Sequence, residues 1–132
     1  MRVDGAVGSP LAMANSLAQI LMLLIALLHF YFLVLEMFLW RTRARKLFGM
    51  TTEKAEATSQ LAQNQGLYNG FLAAGLLWAV FSRTDFAPRA TFFLACVALA
   101  GIFGAVTVTR RIFYVQALPA LVALVLLWTG AR

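Results

Sequence analysis

Residues 27–40 read LLHFYFLVLEMFLW, and they decide the fold, because they set His29 and Glu36 inside an otherwise apolar stretch of a largely apolar run from Leu17 to Trp40. That run is about 24 residues long, and at ~1.5 Å of rise per residue a helix of this length crosses a ~30 Å hydrocarbon core. A spanning helix is therefore expected over 17–40, closed by an interface belt of Trp40 and Arg41. An ionisable residue at membrane depth is costly and marks a site with a partner, so any chemistry is expected near Glu36 or His29.

Working outward, residues 41–60 (RTRARKLFGMTTEKAEATSQ) form the one long polar segment. Gly49 is expected to break the basic extension of the first span. Thr51 or Thr52 can then cap a new helix, with Glu53 favoured in its first turn by the helix dipole. This helix is expected to run unbroken into a second span at 61–81 (LAQNQGLYNGFLAAGLLWAVF). Gln63, Asn64, Gln65 and Asn69 crowd its first half. At 100° per residue Gln65, Tyr68 and Asn69 share a face, while Gly66 and Gly70 lie on an adjacent one that admits close helix approach.

A turn carrying Asp85 and Pro88 leads to a third span at 90–109, where Gly101 and Gly104 supply a second close-packing face. A fourth follows at 112–129, with Gln116 near its start. Pro119 lies within it and cannot donate to the carbonyl of Val115, which predicts a kink. Residues 1–16 have no apolar core, so the first run reads as a retained span, not a cleaved signal.

Composition agrees with this layout: 62% of the 132 residues are hydrophobic and 12% charged, against ~25% charged in a soluble domain. The net charge of +6 sits in the gaps between apolar runs. That is a pattern of topology and anionic-lipid contact, and no recognition motif accompanies it to indicate nucleic acid. Arg41, Arg43, Arg45, Lys46, Lys54, Arg110 and Arg111 fall on one side, and Arg2, Arg83, Arg89 and Arg132 on the other. The excess places 41–60 in the cytoplasm and both termini outside. The expected fold is thus all-α, a single-domain integral four-helix bundle of the cytoplasmic membrane, associating with further copies through its glycine faces.

In this topology Glu36, Asn64, Gln65, Tyr68, Asn69 and Gln116 lie near the cytoplasmic face, with His29 deeper. His29 shares a helix face with Glu36 at ~10.5 Å along the axis. The functional reading is a cytoplasmic-side pocket for a small polar or amphipathic molecule, or a lipid, in which an acid and a histidine can do acid/base work. The plainer reading is that the amides bond between helices and Glu36 pairs with an arginine such as Arg110; for His29 alone the plainer reading is favoured. One histidine and one cysteine offer no metal cluster, no cofactor motif is present, and Cys96 reads as a packing residue.

The stretches LHFYFLVLEMFLW, LFGMTTEKAEATSQLAQNQGLYNGFLAAGL and GIFGAVTVTRRIFYVQALPALVAL resemble the small four-span bacterial and fungal membrane family catalogued as domain of unknown function 1304. The resemblance covers about residues 17–128 and is most specific in Glu-Met-Phe-Leu-Trp and Asn-Gln-Gly-Leu-Tyr-Asn-Gly. It implies a one-domain multi-pass membrane protein and no established activity. Two other layouts are similar by analogy only. The membrane-associated glutathione-metabolism enzymes also have four spans and a basic loop, but this sequence has Gln63, Asn64 and Gln65 where they carry Arg and His. The small multidrug exporters use one carboxylate of the first span to exchange protons for a cation, a role Glu36 would fill.

Overall fold

The computed structural model describes residues 9–130, and these are helical almost throughout, in the order α1 (Pro10–Met37), a π-helical turn (Trp40–Ala44), α2 (Arg45–Leu47), α3 (Thr52–Phe81), α4 (Phe86–Thr107), a second π-helical turn (Phe113–Ala117) and α5 (Leu118–Gly130). Arg2 and Arg132, which enter the expected charge balance, lie outside the described residues. The chain divides into two compact units, Ala26–Gly75 and the remainder, the divisions falling within α1 and α3.

Several helix limits differ from those expected, each for a local reason. Helix α1 begins at Pro10, not Leu17, because the Ser9 hydroxyl accepts the Ala12 N–H at 3.1 Å and Pro10 takes the first helical position, where a missing N–H is harmless. It ends at Met37, short of Trp40, and the chain turns in a wider π register, with the Ala44 N–H on the Leu39 carbonyl at 2.9 Å. Gly49 stands at φ +63° and stops the basic segment. Thr51 caps α3 by accepting the Lys54 N–H at 3.2 Å, and α3 then runs 30 residues without a break. Pro119 is accommodated by the π turn ahead of it, in which the Leu118 N–H reaches back to the Phe113 carbonyl.

In the unit Ala26–Gly75, α3 presents Ala55, Ser59, Ala62, Gly66, Gly70 and Ala73 inward, a stripe of small residues at spacings of three or four. Helix α1 lies against it. A Cβ at Gly66 would come within 2.6 Å of Met37 Cγ and 3.1 Å of the Met37 backbone nitrogen, and one at Gly70 would meet Leu33. Beyond α1, Arg41 grips Glu56 with two bonds of 2.7 Å and Trp40 Nε1 donates to Thr58 Oγ1 at 3.1 Å.

In the other unit, α4 buries Ala90, Leu94, Val97, Ala98 and Gly101, and the last helix buries Ala117, Ala120, Ala123 and Leu127. They approach closely at Gly101, where a Cβ would stand 2.6 Å from the Ala117 backbone nitrogen; a Cβ at Gly104 would meet Ile112 at 3.0 Å. Asn15 Nδ2 donates to the Gly130 carbonyl at 3.1 Å, tying α1 to the end of α5. Around the turn before α4, Arg89 lies 4.4 Å over the Trp78 ring and donates to Ser82 Oγ and the Thr84 carbonyl.

In both units the interior is mostly alanine and glycine, while the outside carries the bulky apolar residues: Val106 is 82% exposed, Phe103 70% and Phe38 70%. Water would not favour that distribution over so much of a surface. Packing through small residues with large apolar side chains outward is how helices associate in lipid. Three helical segments, Pro10–Met37, Phe86–Thr107 and Phe113–Gly130, are long and apolar enough to cross a membrane. Helix α3 is not among them, since its amide-bearing first half lowers its hydropathy.

Candidate functional site

Glu36 occupies the last turn of α1, where α3 approaches closely. Gly66 makes that approach possible, as a Cβ there would lie 3.1 Å from the Glu36 Cβ. Three residues on, Asn69 donates from Nδ2 to Glu36 Oε2 at 2.7 Å, and both side chains are half-buried. This is the only hydrogen bond to the Glu36 carboxylate among the described residues, and no cation pairs with it there.

The other residues expected at the site are placed differently. His29 is fully buried, with the Phe32 ring edge-on at 6.0 Å. Seven residues of helix, ~10.5 Å, separate it from Glu36, too far for a direct hydrogen bond. Asn64 and Gln65 are exposed, as is Tyr68, whose ring meets Phe71. Gln116 belongs to the other unit, where its Nε2 donates to the Val97 carbonyl at 3.4 Å. Within the unit Ala26–Gly75, then, the described geometry joins Glu36 to Asn69 and leaves Asn64, Gln65 and Tyr68 outside.

The reason is angular. Relative to the mean of the small-residue stripe, Asn69 is rotated by roughly 60°, Gln65 by roughly 100°, and Tyr68 and Asn64 by roughly 160°. Only Asn69 lies close enough to the packed face to reach α1. Gly66, Gly70, Gly101 and Gly104 are each met by residues of this same chain.

Two features are not expected from the sequence. The bidentate Arg41–Glu56 pair joins residues fifteen apart across the turn at Gly49, and the stacking of Arg89 on Trp78 secures the turn before α4. Opposite charges flanking the Gly49 break are a signal for the first; nothing in the spacing singles out the second.

Chemically, a half-buried carboxylate with one neutral donor can hold a proton, accept further hydrogen bonds, or face a cation. No group of three His, Cys, Asp or Glu side chains among the described residues could hold a metal ion.

The chain belongs to the family described as Protein of unknown function (DUF1304), whose model matches residues 23–128. It is 33% identical over 112 residues to the Uncharacterized protein YpaA of Lactococcus lactis subsp. lactis (strain IL1403), an alignment covering 83% of this chain and 94% of that one. No solved structure matches it.

Proposed function

We propose that the protein is a single-domain, multi-pass protein of the cytoplasmic membrane that binds a small polar or amphipathic molecule at Glu36. The chain crosses four times, α3 supplying the crossing that its amides disguise, with both termini outside. The ligand enters from the cytoplasmic side and brings a hydrogen-bond donor or a cationic group. One observation carries the reading: the Glu36 carboxylate has Asn69 as its single hydrogen-bonding neighbour among the described residues. A carboxylate in an apolar setting is stabilised by more than one neutral donor, and a ligand donor would supply the second.

Self-association belongs to the same proposal. Because the glycine faces are filled within the chain, the contact between copies falls on the exposed side of α3, where Asn64 and Gln65 can each donate to and accept from the same residues of a partner.

The test is the mass of what co-purifies in mild detergent. Wild type should retain a small molecule that the Glu36→Gln variant loses, while Asn64→Ala retains it. Identical co-purifying species in wild type and Glu36→Gln would remove the site.

A further inference from the structure

The elbow between α1 and α3 is built in a way that the Glu36 site does not use. Helix α1 is followed by a basic run, Arg41, Arg43, Arg45 and Lys46, of which Arg41 is committed to Glu56 and Ser59. Arg43 and Lys46 are exposed, and no ion pair engages either among the described residues. Directly after them come two apolar residues that are also exposed, Leu47 at 61% and Phe48 at 56%.

Their level along the molecule is fixed. The Phe48 ring lies 6.0 Å from that of Trp40, and the Trp40 indole is held to Thr58 of α3. The elbow therefore folds back, so that Phe48 sits beside the indole that closes the apolar run of α1. A tryptophan in that place lies at the headgroup level. The elbow thus presents Arg43 and Lys46, without an ion pair among the described residues, next to two exposed apolar side chains at the end of that run, where a spanning helix would meet lipid phosphates and acyl chains together. Water would satisfy the cations alone, and the acyl region would satisfy the apolar pair alone. A phospholipid headgroup boundary satisfies both.

We infer that the Trp40–Phe48 elbow is a binding site for anionic phospholipid: Arg43 and Lys46 engage the headgroup phosphate while Leu47 and Phe48 enter the acyl boundary. The occupant is a lipid, not a free phosphate, because the apolar pair gains nothing from an inorganic anion.

The experiment uses the full chain in mild detergent. Phosphatidylglycerol or phosphatidylcholine of matched acyl length is added, and the lipid retained is counted by native mass spectrometry. Wild type should retain phosphatidylglycerol in clear excess. Arg43→Gln with Lys46→Gln should cut that retention by about thirtyfold, the loss that two cations near an anionic headgroup predict. Arg43→Lys with Lys46→Arg should keep it, which separates a lost site from a lost fold. Leu47→Ser with Phe48→Ser should lower retention of both lipids in proportion. Glu36→Gln should leave the excess intact, so this site stands or falls apart from the one at Glu36. Equal retention of the two lipids by wild type overturns the inference. So does an equal loss in Arg83→Gln, a cation outside the elbow, or displacement of the lipid by millimolar inorganic phosphate.

Discussion

Gly49 and Gly101 both resist a methyl group, for opposite reasons. At Gly49 there is room, with nothing within 4 Å of where a Cβ would stand, but φ is +63°. Alanine there should cost ~1–2 kcal/mol through backbone strain alone, and asparagine, which tolerates the left-handed region, less. At Gly101 the backbone is ordinary helix and the space is missing, since the Ala117 nitrogen and Cα stand 2.6 and 2.9 Å from the added carbon. A neighbouring backbone cannot rotate away as a side chain can, so Gly101→Ala should cost ~1–3 kcal/mol or more by forcing the helices apart. Thermal unfolding in detergent should rank Gly101→Ala as the more damaging and Gly49→Asn as the mildest; equal loss for Gly49→Ala and Gly49→Asn would contradict the strain account. At this scale Glu36 was legible because a carboxylate in an apolar run is conspicuous. Which amide serves it was not. A shared 100° face groups Gln65, Tyr68 and Asn69, and only the position of the small-residue stripe reveals that Asn69 alone turns toward α1.

The start of α3 shows how an element is specified by a few polar residues. Gly49 ends the preceding segment, Thr51 caps, and Glu53 places a carboxylate in the first turn. The Glu53 carboxyl is held below its ordinary range, first by its own backbone N–H, then by the Thr51 hydroxyl, with the charge of Arg45 adding to them. A depressed pKa means that the ionised form favours the folded turn. The contribution is complete above the unfolded-state pKa and disappears as pH falls through the lower folded-state value. Amide resonances of residues 52–55 should therefore show the first turn fraying on acidification, and Glu53→Gln should make that fraying independent of pH. A wild-type turn with no pH response would refute it. Capping residues and breakers are local, which is why the continuity of α3 could be read from sequence. The π turns could not, since the hydrophobic pattern records which residues are apolar and not whether a carbonyl is met four or five residues later. Pro119 gave notice of a disturbance in the last helix, but nothing comparable marks Trp40–Ala44.

For the whole molecule the decisive feature is the inversion of side-chain size, small residues inside and bulky apolar ones outside, which makes lipid the matching solvent. The helical class was legible because long apolar runs admit few other structures in a membrane. The number of crossings turns on α3 alone. Its last twelve residues, Gly70–Phe81, are apolar but span only ~18 Å, so a crossing must carry Gln65 and Asn69 into the hydrocarbon region. The bond from Asn69 to Glu36 gives one of those two amides a partner within the chain, and Gln65 lies one turn, ~6 Å, nearer the start of the helix. Four crossings put Thr52 and Thr84 on opposite sides of the membrane, whereas an α3 lying along one surface puts them on the same side. With Cys96→Ala as background, single cysteines at Thr52, Thr84 and Thr109 decide between these arrangements. In intact cells a membrane-impermeant maleimide should label Thr84→Cys and spare Thr52→Cys and Thr109→Cys, which should react once the membrane is opened. Equal labelling of Thr52→Cys and Thr84→Cys in intact cells would mean that α3 does not cross, and the site at Glu36 would then face a surface-bound helix.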